Sequence, residues 1–140
     1  RNRGINICAH VILGLPGESR QEMLETADAI AAMGIDGVKL HLLYIVHGTP
    51  LAEMYRDGRY HCLRQDEYVD LVCEFIARMP ESAVIQRLTG DPHPDELVAP
   101  AWSLQKRQTV ELIHRRFAQA NTWQGKRFQG RNRFLTAYKE

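Results

Sequence analysis

The sequence predicts an α/β fold, an open partial (βα) barrel fragment with parallel strands and flanking helices. Three observations predict it. A strand signal, a capped amphipathic helix and a second strand signal succeed one another within residues 5–45, the pattern of a βαβ unit. A crossover of that kind sets its two strands parallel. A third strand signal follows at Ala83–Leu88, and three strands are too few to close a (βα)8 barrel, which takes about 250 residues.

The elements follow in chain order. Ile5–Leu13 is short, apolar and rich in Ile and Val, with little polar alternation; it reads as a strand covered on both faces. Gly14-Leu15-Pro16-Gly17-Glu18 breaks it. Ser19 followed by Glu22 is a capping box. The helix it opens, about residues 20–32, sets Met23, Leu24, Ala27, Ile30 and Ala31 on one face, and Gly34 closes it. A second strand over about Gly37–Ile45 is interrupted only by Lys39 and His41, which share a face. Thr49 and Pro50 suit the N-cap and first position of a short helix ended by Gly58. A longer helix over about Gln65–Met79 has Tyr68, Val72, Phe75 and Met79 as its apolar stripe, with Val69 and Ile76 beside it, and stops at Pro80. Gly90–Pro94 is loop, and Ser103–Ala120 is a last helix. Periodicity is weak beyond Trp123, which predicts a tail that is loose or fixed only by other parts of the protein.

A 44% hydrophobic and 25% charged composition is that of a globular chain. No apolar run approaches the roughly 18 residues of a membrane span. The chain opens at Arg1, close to an apolar run and without a signal or transit pattern; it reads as a piece of a larger protein. Cys8, Cys62 and Cys73 have neither metal-site nor disulfide spacing. They read as free thiols in a reducing, cytoplasmic compartment, with Cys8 buried. An open sheet leaves an edge that a second copy can pair, giving a homo-oligomer.

Charge is unevenly spread. Residues 1–99 hold 9 Lys/Arg and 15 Asp/Glu, a net −6, whereas residues 100–140 hold 9 Lys/Arg and 2 Asp/Glu, a net +7. Two readings stand: an anionic partner for the basic end, or attraction between the two portions.

Candidate chemistry lies at the strand ends. Glycines in the Ile12–Ser19 run permit close approach of a ligand to the backbone, and the following helix start favours an anionic group. A tight turn without a ligand explains the same residues. The run matches neither a Walker loop nor the dinucleotide-binding pattern. His10, Lys39, His41 and Arg87 are polar residues in or at the ends of apolar strands. His41 is a candidate catalytic proton carrier, and Arg87 a candidate for bidentate binding of a carboxylate or phosphate. Structural hydrogen bonding or surface placement is the competing account of each.

The run Cys8-Ala9-His10-Val11-Ile12-Leu13-Gly14-Leu15-Pro16-Gly17-Glu18-Ser19 resembles the fifth-strand region of radical S-adenosylmethionine (SAM) enzymes. Val38–Leu51, and Arg87-Leu88-Thr89-Gly90-Asp91 followed by Pro100-Ala101-Trp102, resemble the narrower Elp3-like, YhcC-like bacterial group. The resemblance reaches to about Gly125. It implies a partial (βα)6 barrel, of which residues 1–99 are the C-terminal half and residues 100–140 a basic helical extension. It also implies S-adenosylmethionine and a [4Fe–4S] cluster as cofactors of the full-length parent, which cleaves S-adenosylmethionine to a 5′-deoxyadenosyl radical. By the same resemblance Ile12 offers apolar contact to adenine, Gly14 makes room for it, and backbone groups around Ile45 and Val46 meet the adenine edge. The family's usual Gly and Glu stand here as His10 and Gly17, with the acid one residue later at Glu18. No cysteine triplet for the cluster is present, so this polypeptide alone is expected to hold no cofactor, to contain no metal site and to be inactive. Its partners are then the N-terminal half of the barrel and, through the basic end, RNA; there is no membrane partner. Lys106, Arg107, Arg115, Arg116, Lys126, Arg127, Arg131 and Arg133 supply that end, with Phe128 and Phe134 interleaved. The alternative is a non-catalytic interaction module with a nucleic-acid- or protein-binding basic end.

Overall fold

The computed structural model describes residues 4–129. Strand β1 (Cys8–Leu13) leads through the glycine turn into helix α1 (Arg20–Met33), and β2 (Gly37–Leu42) follows. A short β3 (Ile45–Val46) precedes α2 (Pro50–Arg56) and α3 (Gln65–Arg78). Strands β4 (Val84–Arg87) and β5 (Leu97–Ala99), a 3₁₀ turn at Ala101–Leu104 and α4 (Lys106–Gln119) complete the order. The main sheet has strand order β1-β2-β4 and is parallel throughout. It is open, as a partial barrel is.

The local signals work as their chemistry requires. Ser19 Oγ accepts from the Glu22 amide at 3.3 Å, and Glu22 returns a bond to the Ser19 amide at 2.7 Å. Gly34 closes α1 in the left-handed region at φ 64°. Thr49 caps α2 with Pro50 at its start. Tyr68, Val72, Phe75 and Met79 are fully buried, so the apolar stripe read from periodicity is the buried face of α3.

Four expectations need correction. The second strand is not continuous to Ile45: it ends at Leu42, and Ile45–Val46 leaves the sheet to pair antiparallel with β5. The sequence reading missed β5, a three-residue strand too short for alternation to register. The main sheet is covered on one face only among the described residues: α1, α3 and Ile113 of α4 form one core with Val11, Leu13, Val38, Leu40 and Leu42. Cys8, on the other face, is half-buried rather than buried. The segment after α4 is not loose, because Gln124 Nε2 donates to the carbonyls of Pro80 and Ala83, both at 2.7 Å, and the Arg127 amide donates to Ala77. Arg131, Arg133 and Phe134 lie outside the described residues.

A second small core joins Ile45, Ala52, Tyr60 and Ala99 beside the sheet. No helix among the described residues is long and apolar enough to cross a membrane.

Candidate functional site

Strand alternation divides the main sheet. Val11, Leu13, Val38, Leu40 and Leu42 point under the helices. Successive side chains alternate faces, so His10 and Ile12 of β1 and Lys39 and His41 of β2 occupy the uncovered face. Arg87 joins them, for its Nη1 lies 3.2 Å from His41 Nε2. Register aligns His10 with Lys39, and Lys39 with Arg87, in one row across three strands. His41 stands one step further along β2, opposite Ile12, and its ring stacks at 6.4 Å on that of His10. Thus both catalytic candidates, and the two other polar strand residues, come together.

Electrostatics on this face are one-signed. A guanidinium only donates, so His41 Nε2 accepts from Arg87 and the ring proton sits on Nδ1. Burial, then Arg87, His10 and Lys39, push the His41 imidazole below its ordinary pKa. Neither β1, β2 nor β4 contains an acid. Asp91, just beyond β4, bonds Lys106 Nζ at 2.6 Å and also acts on Arg87.

The turn after β1 is held from behind. Gly14 has φ 91°, and a Cβ there would meet Leu63 Cδ1 at 3.1 Å. Its amide donates to Met23 Sδ at 3.2 Å and its carbonyl accepts from the buried Tyr60 hydroxyl at 2.7 Å. Leu63 is fixed in turn, since Trp102 Nε1 donates to its carbonyl at 3.1 Å. Tyr60 also belongs to the small core around Ile45. One side chain therefore joins the Gly14 turn to the Ile45–Val46 segment. Ile12 is 46% exposed at the end of the uncovered face. Ile45 is fully buried; the Val46 carbonyl accepts from Thr49 Oγ1 at 2.8 Å, and both residues pair with β5.

The cysteines do not fit an iron–sulfur cluster. Among the described residues no three His, Cys, Asp or Glu side chains converge as metal ligands. Burial pushes the Cys62 and Cys73 thiols up to about 11, which disfavours the thiolate a metal needs. Cys73 lies in the main core, donating to the Ile113 carbonyl, while Cys62 packs on the small one.

Residues 35–119 match the model of the Radical_SAM C-terminal domain. The chain belongs to this family. It is 39% identical over 92% of its length to the protein YtqA of Bacillus subtilis, covering 40% of that protein. It is 42% identical over 90% of its length to MJ0486 of Methanocaldococcus jannaschii, covering 39%. Against YhcC of Escherichia coli it is 35% identical over 73% of its length, covering 33%. The chain thus spans about two fifths or less of these curated relatives. An archaeal Elp3 structure from Methanocaldococcus infernus superposes with a TM-score of 0.73 at 20% identity, over 86% of this chain and 28% of that one; this likeness is one of fold.

In this radical SAM domain the Arg87–Asp91 segment is fastened by packing. The Leu88 carbonyl accepts from the Tyr68 hydroxyl at 2.9 Å, Thr89 is buried, and Trp102 lies 5.5 Å from the Tyr68 ring. Among the described residues, most of the basic end is paired inside the chain. Arg116 pairs with Asp70, Lys106 with Asp91, Arg107 with Glu111 and Arg127 with Glu74. Lys126 lies over the Trp123 ring at 4.6 Å. Sequence reasoning missed Tyr60 and Leu63. They are 46 and 49 residues from Gly14 in the chain, and no periodicity links a loop tyrosine to a distant turn; the one signal was an apolar Tyr-x-Cys-Leu run just before a helix.

Proposed function

We propose that this domain is the C-terminal part of the barrel of a radical SAM enzyme, with the uncovered sheet face lining the reaction cavity. The observation that carries this reading is the family match over residues 35–119. In the full-length parent a [4Fe–4S] cluster would supply the one electron for reductive cleavage of S-adenosylmethionine, the chemistry that opens hydrogen-atom abstraction from a substrate. Residues outside this chain hold the cluster. Within it, Ile12 supplies apolar contact to the adenine, and Gly14 keeps the β1 turn free of a side chain. The backbone around Ile45 and Val46 borders the adenine edge. His41, its pKa lowered by burial and then by its cationic neighbours, is the proton acceptor on the face, and Arg87 orients it through Nε2. The parent's other partners are the preceding half of the barrel along the open sheet edge and, for an RNA substrate, the basic end.

Anaerobic reconstitution of the full-length parent and assay for 5′-deoxyadenosine test this reading. Cleavage is expected; a reconstituted, reducible cluster without cleavage overturns it. RNA contact is tested separately by transfer RNA binding across a salt series. Ion pairing of Arg116, Lys106 and Arg127 within the chain leaves Arg115, among the described residues of α4, as one whose replacement by Ala should flatten the salt slope.

A further inference from the structure

The uncovered face gathers more positive charge than its own strands can balance. His10, Lys39 and Arg87 form one row, and His41 touches Arg87 and stacks on His10. Adjacent strands lie about 4.8 Å apart, so the row spans only about 10 Å. Two permanent cations in that width repel one another, and the three strands themselves carry no acid to offset them. Asp91, just beyond β4, acts on Arg87 but is bonded to Lys106 at 2.6 Å, so one carboxylate is shared between two cations. Elsewhere the chain treats its cations differently: Arg116, Arg78, Arg20 and Arg127 each meet a carboxylate. A cationic cluster with only a shared carboxylate beside it, on an uncovered sheet face, is complementary to an anion.

Resting on the reading of this face as the reaction cavity, we infer that His10, Lys39, His41 and Arg87 bind a compact anionic group of the substrate, a phosphate or a carboxylate. Arg87 offers the planar fork that matches either group, and Lys39 adds a point charge beside it. His10 donates from the opposite end of the row. His41 now accepts from Arg87; an arriving anion takes that guanidinium and lets the imidazole become a donor. The width of the row admits one phosphate or one dicarboxylate end. The apolar Val84, 59% exposed at the far edge of the same face, gives the rest of the substrate a non-polar floor.

The test is a titration of the 140-residue chain with sodium phosphate, and separately with succinate, at ionic strength held constant with chloride. Ring ¹⁵N and ¹H shifts of the histidines are the readout. Saturable movement of the His10 and His41 rings is expected, while His47, His61, His93 and His114 stay still. Arg87→Gln and Lys39→Gln should each weaken the apparent affinity at least about fivefold. The stronger of the phosphate and succinate arms identifies the group. Methionine, which carries the cofactor's carboxylate, is the third arm. Should methionine move both rings at lower concentration than either anion, the site belongs to the cofactor and the assignment to substrate is overturned. Equal drift of all six histidines, or an affinity unchanged in Arg87→Gln, also overturns it. Neither cofactor nor cluster enters this measurement, so its failure and a failure of S-adenosylmethionine cleavage are told apart.

Discussion

The two faces of the β1-β2-β4 sheet are built from the same strands and do opposite work. Beneath the helices, Val11, Leu13, Val38, Leu40 and Leu42 close against Tyr68, Phe75 and Met79. On the other side, one residue out of phase, stand His10, Ile12, Lys39, His41 and Arg87. Burial of the first set drives folding, whereas the second set crowds like charges and exposes apolar Ile12. The lesson is that a single period of two can hold stability and recognition apart, so that each can be altered with little effect on the other.

The largest way to break the comparison is on the covered side. Phe75→Ala removes a fully buried ring from α3 and should cost about 3–5 kcal/mol, read as a fall in the urea midpoint. If the loss is below about 1 kcal/mol, the covered face is not the main source of stability. Next comes the hinge between the faces. Gly14→Ala forces a side chain onto φ 91° and against Leu63; a loss of about 1–3 kcal/mol is expected. An unchanged thermal midpoint would contradict the packing described for that turn.

A sharper contrast comes from the uncovered side. Lys39→Gln should change stability by no more than about 0.5 kcal/mol, and its sign should be stabilising, because it relieves repulsion with Arg87. A loss of 2 kcal/mol or more, on the order of a core substitution, would show that the two faces are not separate. The smallest effect is at Glu18. Burial, and then Glu22, raise its carboxyl above the ordinary 4.5, and its Oε2 is enclosed without a hydrogen-bond partner among the described residues. A raised acid pKa means that the unfolded chain ionises first. The penalty is therefore absent below about 4.5 and develops as pH rises through the folded value. Glu18→Gln should raise the melting temperature by about 1–2 °C at pH 7 and leave it unchanged at pH 3.

Much of the frame was legible. Ser19 and Glu22 announced α1, Gly34 its end, and the Tyr68–Met79 spacing the buried face of α3, because caps and amphipathic stripes are local chemistry. Lys39 and His41 were readable as sharing a face for the same reason. Legibility ended where partners are distant. Nothing in Val38–Ile45 marks the departure at Leu42, since a buried apolar run looks the same whether it continues a sheet or crosses to another. The basic end read equally well as a nucleic-acid surface or as an internal counterweight; its pairing with Asp70, Glu74 and Asp91 could be seen only in space.

The sequence by itself determined the order of elements, the parallel βαβ unit, the caps and the family likeness, all of which follow from neighbours within a few turns of chain. Tertiary structure alone decided that the strands are covered on one side, that Tyr60 holds Gly14 across 46 residues, and that His10, Lys39, His41 and Arg87 share a patch about 10 Å wide. The reason is physical: register and packing set which side chains meet, and both are fixed by burial of the whole core rather than by any segment of it.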